Sequence, residues 1–249
     1  VSYLRPSKID GAKHTGAILK LLVKYLRSFW PEVRITLRGD SGFCRRKVLS
    51  WCERNDVNYI VGLPKNSRLT AMTASSIEQA AVEFRATQEK QRLFSEVEYG
   101  AKSWGKSRRV IVKAEHNSKG PNTRYVVTNL QGDPQELYDE LYCQRGEMEN
   151  RIKEQQLDLF ADRTSCHKWW ANQFRLILSS LAYVLMETIR RLGLFGTELA
   201  NACCKTIRLK LLKIGAVILR NTRRVRFLLS SAYPFKELFR KVRLRLNPG

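Results

Sequence analysis

The chain is poor in residues that bind soft metals, with six cysteines and three histidines in 249 positions. None of Cys44, Cys52, Cys143, Cys166, Cys203 and Cys204 belongs to a C-x-x-C pair, and adjacent Cys203-Cys204 suits neither a metal nor a disulfide. Cys166-His167 has no spaced partner ligands, so neither a zinc site nor a cysteine nucleophile is read there. Reduced thiols in a cytosolic protein are the expectation. Long apolar runs are also lacking. The longest, Phe174 to Ile189, is broken by Arg175 and two serines and falls short of the roughly 20 residues a membrane helix needs. It reads as a buried core helix, and no membrane partner is expected. No signal peptide is recognisable, so secretion is not expected either.

Acidic residues are scarce, 23 against 45 Lys and Arg, for a formal charge of +22. A surplus of this size implies a polyanionic partner, because each cation placed near a phosphate releases condensed counterions. From Asn201 onward 13 Lys or Arg face one acid, Glu237. Ala216 to Leu219 and Val225 to Leu229 read as a hairpin around Asn221-Thr222-Arg223-Arg224. Arg223, Arg224 and Arg226 are therefore candidates for contact with DNA backbone, which gives affinity and register but little sequence choice. A solvated face is compatible with the same pattern. Hydrophobic content of 43% is ordinary, and the length allows one sizeable core with an inserted subdomain.

Helical spacing of Ile18, Leu19, Leu22, Val23 and Leu26 marks a helix over about 11–29, closed by Trp30-Pro31. Val33 to Leu37 alternates at period two until Gly39 and Gly42 stop it, which puts Asp40 at the C-terminal lip of a strand. A helix from about Arg46 to Asn55 and the apolar strand Tyr59 to Leu63 follow. Strand, helix and strand in this order favour a parallel pair, whose C-terminal ends face a site. Asp40 is thus either a site carboxylate or a cap for the turn that its two glycines tighten.

Residues 64–135 lose helical regularity. Leu93 to Tyr99, Val110 to Glu115 and Tyr125 to Leu130 read as strands, so this stretch is expected to be a mostly β insertion. In it Trp104 stands among Lys102, Lys106, Arg108 and Arg109, where it would either stack on an exposed DNA base or pack on the insertion's own strands. Further on, eight acids and three bases occupy Asp133 to Phe160, an acidic island in a basic chain that suits a cation amid phosphate-binding surface. At about 100° per residue, Tyr142, Arg145, Glu149 and Lys153 would share one narrow face of a helix. A solvated helix with a Glu149–Lys153 pair is the plainer reading of that face.

Together these segments resemble the transposases of bacterial insertion sequences that carry a group 1 DDE domain of ribonuclease H-like fold. Arg38-Gly39-Asp40-Ser41-Gly42-Phe43 resembles the segment that holds the family's second catalytic Asp. Tyr142, Arg145 and Glu149 fit a Tyr-x2-Arg-x3-Glu-x6-Lys signature whose last position is Gln156 here, with Lys153 on the same face to replace it. Trp51-Cys52-Glu53, Gly62-Leu63-Pro64-Lys65-Asn66, Leu209 to Ala216 and Ser231-Ala232-Tyr233-Pro234 extend the resemblance over essentially the whole chain.

The resemblance implies an α/β fold: a ribonuclease H-like core with a β-rich insertion and a basic C-terminal α/β extension, the first strands of the sheet missing. The divisions expected are 1–63 for a partial core, 64–135 for the insertion, 136–193 for the core completion and 194–249 for the extension. Asp40 and Glu149 would be catalytic and hold Mg2+, with Mn2+ as a substitute, because hard cations take carboxylate oxygens. Tyr142, Arg145 and Lys153 would contact DNA. The partner implied is double-stranded DNA at insertion-sequence ends in a bacterial, nucleoid-associated setting, and a homodimer in the DNA complex is allowed. The family's first catalytic Asp has no counterpart here, since Asp10 reads as a helix cap or turn residue, so this chain alone is expected to be inactive. The alternatives are a non-catalytic DNA-binding remnant and a ribonuclease H-like repair nuclease.

Overall fold

In the computed structural model the chain forms two compact units, Ser7–Gly146 and Val1–Pro6 with Glu147–Gly249. It describes residues 2–247, except for the side chain of Arg145.

In the Ser7–Gly146 unit, α1 (Thr15–Phe29) buries Leu19 and Val23 one turn apart. Strand β1 (Thr36–Gly39), helix α2 (Arg46–Arg54) and strand β2 (Asn58–Leu63) follow. The two strands are parallel, Thr36 facing Asn58 and Gly39 facing Val61. Pairing begins at Thr36 rather than Val33 because β2 begins only at Asn58, whose N–H already bonds Ile35 O. Next come α3 (Ser67–Met72), capped by the Asn66 side chain on Leu69 N, and α4 (Ala74–Thr87). Strands β3 (Gln91–Tyr99), β4 (Arg108–Asn117), β5 (Gly120–Pro121) and β6 (Arg124–Thr128) complete the sheet.

Two findings revise the mostly β reading of residues 64–135. Residues 67–87 are largely helical, since the Ala, Glu and Gln of α4 favour helix over strand. The strands after them join the β1–β2 pair in one six-stranded sheet of order β1-β2-β6-β4-β3, with β5 on β4. β6 lies antiparallel to both β2 and β4. Its central strands are buried on both faces, so they read as continuous apolar runs. Tyr59, Val61, Val110, Val112 and Val127 pack beneath α1 and α2. Ile60, Ile111 and Val126 face the other way, onto Tyr138.

Short helix α5 (Pro134–Glu136) starts on Asp133, whose side chain accepts from Glu136 N, with Pro134 in the first turn. It runs on as a π-helical turn, Leu137–Tyr142.

Helix α6 (Arg145–Lys153) begins at the end of the first unit, and from Glu147 on it belongs to the second, which also holds a π-helical turn at Glu154–Asp158, α7 (Trp169–Thr188) and α8 (Cys204–Ile207). Strands β7 (Ala216–Arg220) and β8 (Val225–Leu229) form the expected hairpin, and α9 (Lys236–Leu246) closes the unit. Met186, Leu194, Cys204, Ile207, Leu238 and Val242 form its core. A Cβ on Gly193 would stand 2.7 Å from Val242 Cγ1, so only glycine admits α9 this closely.

The buried core helix read at Phe174 to Ile189 is corrected by α7. Its buried residues are Asn172, Ser179 and Met186, seven apart, while Phe174, Ile177, Leu181 and Val184 are exposed. Ser179 donates to Leu159 O and the Asn172 side chain bonds both backbone groups of Cys166. The small and polar stripe therefore makes the contacts and the large apolar one faces outward. Among the described residues no helix is long and apolar enough to cross a membrane.

Candidate active site

Asp40 stands just beyond β1, exposed, at the lip where the parallel pair ends. Its Oδ1 accepts from Gly42 N at 2.9 Å and caps the short 3-10 turn Ser41–Phe43. The capping role foreseen for this residue is thus real, and it places the carboxylate rather than hiding it. Gly62, near the end of the neighbouring strand, lies beside it. A Cβ there would meet Tyr142 Oη at 2.8 Å, Ser41 N at 3.0 Å and the Asp40 carbonyl carbon at 3.3 Å. Asp40 and Tyr142, 102 positions apart, thus converge over one glycine.

Three contacts hold Tyr142 there. Arg38 Nη1 donates to Leu141 O at 2.9 Å, tying β1 to the π-helical turn. Tyr138 packs on Tyr142 with ring centroids 5.4 Å apart, and the Phe94 ring lies 5.5 Å from that of Tyr138. Burial, with Cys143 and Tyr142 nearby, pushes the Tyr138 hydroxyl up to about 12, so it stays neutral. Arg38 and Gly62 carry no assigned role in the sequence reading. A glycine inside an apolar strand is itself the signal, because it marks a close approach.

The single helical face proposed for Tyr142, Arg145, Glu149 and Lys153 is not formed as such. Cys143 N bonds Tyr138 O, five residues back, and Cys143-Gln144 form a turn before α6 begins. A bond spanning five residues winds fewer degrees per residue than the α-helix assumed in the spacing. Tyr142 therefore belongs to the Ser7–Gly146 unit and Glu149 to the other. The side chain of Arg145 lies outside the described residues.

Glu149 and Lys153 do lie one turn apart on α6, both exposed. The opposite face is locked by ions: Arg151 bonds Glu147 at 2.5 Å and Glu154 at 3.3 Å, and Glu154 takes Arg190 Nη2 at 2.6 Å. Burial raises the Glu154 carboxyl, but the Cys204 and Arg190 hydrogen bonds outweigh it and hold the group below the usual carboxylate range.

Trp104 lies on the sheet face away from Tyr142. It is half-buried, edge-on to Tyr99 at 5.7 Å and covered by the Arg108 guanidinium at 4.9 Å. Its surroundings are the packing environment weighed against base stacking. Arg223 and Arg224 sit in the β7–β8 turn, where Asn221 Oδ1 accepts from both backbone N–H groups, and Arg226 follows on β8. All three are exposed.

The donor chemistry at Asp40 and Glu149 suits a hard divalent cation. Among the described residues, however, no three His, Cys, Asp or Glu converge to hold a metal ion.

A mixed α/β sheet presents its site at the C-terminal lip of the parallel strands, where Asp40 stands. The match is specific: the family model for the transposase DDE domain, group 1, covers residues 1–248, and the chain belongs to that family. No curated protein matches it.

Proposed function

We propose that this chain binds the DNA ends of an insertion sequence as a DDE transposase, and that Asp40 and Glu149 are its catalytic carboxylates. The observation that carries the proposal is the convergence of Asp40 and Tyr142 over Gly62 in a chain matched by the family model almost from end to end. Asp40 and Glu149 would hold Mg2+ or Mn2+, and the metal's part is to activate the attacking oxygen and stabilise the leaving one. The Tyr142 hydroxyl would donate to a phosphate oxygen of the bound strand. Lys153 and the unit's surface arginines would neutralise the strand that carries it.

The test assays this chain on duplexes carrying the element's ends, in Mg2+ and in Mn2+. It should bind them, and cleavage should be lost in Asp40→Asn and in Glu149→Gln while binding stays intact. Binding without cleavage would favour the other reading, a non-catalytic DNA-binding protein. Cleavage undiminished in both variants would overturn the assignment, with Asp10 the first suspect for an acid that acts instead.

A further inference from the structure

The β7–β8 hairpin presents a physical problem. A lone two-stranded hairpin is marginal in water, yet all ten of its strand residues are exposed. Ile218 and Phe227, cross-strand partners on one face, are 61% and 63% exposed, and Val217, Leu219 and Leu228 stand exposed on the other face. Apolar surface of this kind marks an interface rather than a solvated tip. The turn adds a second, independent feature. Arg220, Arg224 and Arg226, with Asn221, line a recess of about 210 Å3, and no acid lies between residues 201 and 236.

The occupant must therefore be apolar along the strands and anionic at the turn. A second copy of the chain brings the same cationic surplus, and edge-to-edge pairing would leave both apolar faces in water. A DNA groove meets both demands at once, with apolar sugars and thymine methyls inside and phosphates along its rim. The major groove, about 12 Å wide, admits a two-stranded β-ribbon, and its floor carries the thymine C5 methyls. Five residues per strand give a ribbon of about 17 Å, enough to span several base pairs.

We propose that the β7–β8 hairpin is a β-ribbon that enters the DNA major groove, its apolar side chains on the groove interior and the turn arginines on the flanking phosphates. This rests on the reading of the chain as a DNA-binding transposase and goes beyond backbone contact. The ribbon gains apolar, T-sensitive contacts, and the rest of the chain gains an orientation on the duplex.

Three measurements on the full chain test it. First, wild type is titrated with a duplex and with the same duplex carrying deoxyuridine in place of thymine, which deletes only the major-groove methyls. Affinity should fall about tenfold. Second, Ile218→Ser with Phe227→Ser, both exposed and outside the core, should weaken binding to thymine DNA and erase the deoxyuridine effect while leaving the salt slope unchanged. Third, Arg220→Ala with Arg224→Ala should lower that slope by about two. Equal affinity for thymine and deoxyuridine DNA, or its loss only to a minor-groove competitor, would overturn the inference and leave the DNA-binding reading standing. So would a concentration-dependent dimer, seen in sedimentation, that the serine variants dissociate without changing DNA affinity. Failure of the wild type to bind any duplex would sink both.

Discussion

Tyr142 and Gly62 share a single volume: the tyrosine hydroxyl lies 2.8 Å from where a Cβ of residue 62 would stand. Any side chain at position 62 must displace the ring or push back the Asp40–Ser41 backbone on the same side. Gly62→Ala is therefore expected to cost about 1–3 kcal/mol by overpacking. Tyr142→Phe relieves the closest of these contacts, so the double variant should be less destabilised than the sum of the single ones, by at least about 0.5 kcal/mol. Denaturant unfolding of the four proteins measures the cycle. Strict additivity would mean that the hydroxyl does not occupy this space.

The parallel strand pair was legible because Val33 to Leu37 and Tyr59 to Leu63 differ in period from the helix between them, and Gly39 marks where the first strand ends. The position of Asp40 followed from that. Residues 67–87 were harder, since of the α4 residues only Ala80 is fully buried and the helix carries no strong apolar stripe. The continuity of helix from Tyr142 to Lys153 was read from spacing alone, and one five-residue hydrogen bond at Cys143 breaks such a reading without any mark in composition. The exposure of α7 was hidden for a different reason. An apolar run reports what could be buried, whereas Asn172 and Ser179 show which side was. Buried charges such as Arg108 and Arg190 were not legible either, because their partners Glu53 and Glu154 meet them only in the folded chain.

Arg108 anchors the sheet to α2. Its side chain is 3% exposed and grips Glu53 with Nε at 2.7 Å and Nη2 at 3.1 Å, while Nη2 also donates to Ser50 Oγ at 3.0 Å. Burial alone would raise the Glu53 carboxyl, but hydrogen bonds from Arg108, Tyr59 and Lys106 hold it below the usual carboxylate range. Arg108→Ala should cost about 2–3 kcal/mol, because it takes the strongest partner from Glu53, leaving Tyr59 and Lys106, and uncovers Trp104. Arg108→Met with Glu53→Leu should recover much of the loss, as measured by thermal unfolding. A single variant as stable as wild type would show that the pair is not buried in solution.

The six thiols should react in the order of their exposure and charge. Burial pushes Cys44 and Cys52 up to about 11 and Cys204 up to about 12, so little thiolate forms there at neutral pH. Cys203 and Cys143 are exposed, but partial burial and Asp139 also raise Cys143. Alkylation of the native protein at pH 7.5, followed by peptide mass analysis, should modify Cys203 first and half-buried Cys44 and buried Cys52 and Cys204 at least about a hundredfold more slowly. Early labelling of Cys204 would mean that the Glu154–Arg190 cluster beside it opens readily.

The acid limit of the fold should be set in part by Glu115 on β4. This carboxylate is buried and takes Lys113 Nζ at 2.9 Å, Lys90 Nζ at 3.1 Å and Asn122 Nδ2 at 2.8 Å. Burial pushes the group up, yet these donors outweigh it and lower it from 4.5 to about 2. A carboxylate depressed by folding contributes stability that is fully present above its unfolded value and is lost as pH falls toward the folded one. The contribution should therefore stand at neutral pH, worth up to roughly 3 kcal/mol, and disappear between pH 4.5 and 2. Glu115→Gln keeps the shape and removes the charge, so its stability gap to wild type should be widest at pH 6–7 and close toward pH 2. Lys90→Ala removes only the half-exposed partner and should cost less than about 1 kcal/mol. Unfolding free energies of the three proteins across that pH range decide it: a gap between Glu115→Gln and wild type that stays constant with pH would show that the loss comes from packing and not from the ionised carboxylate.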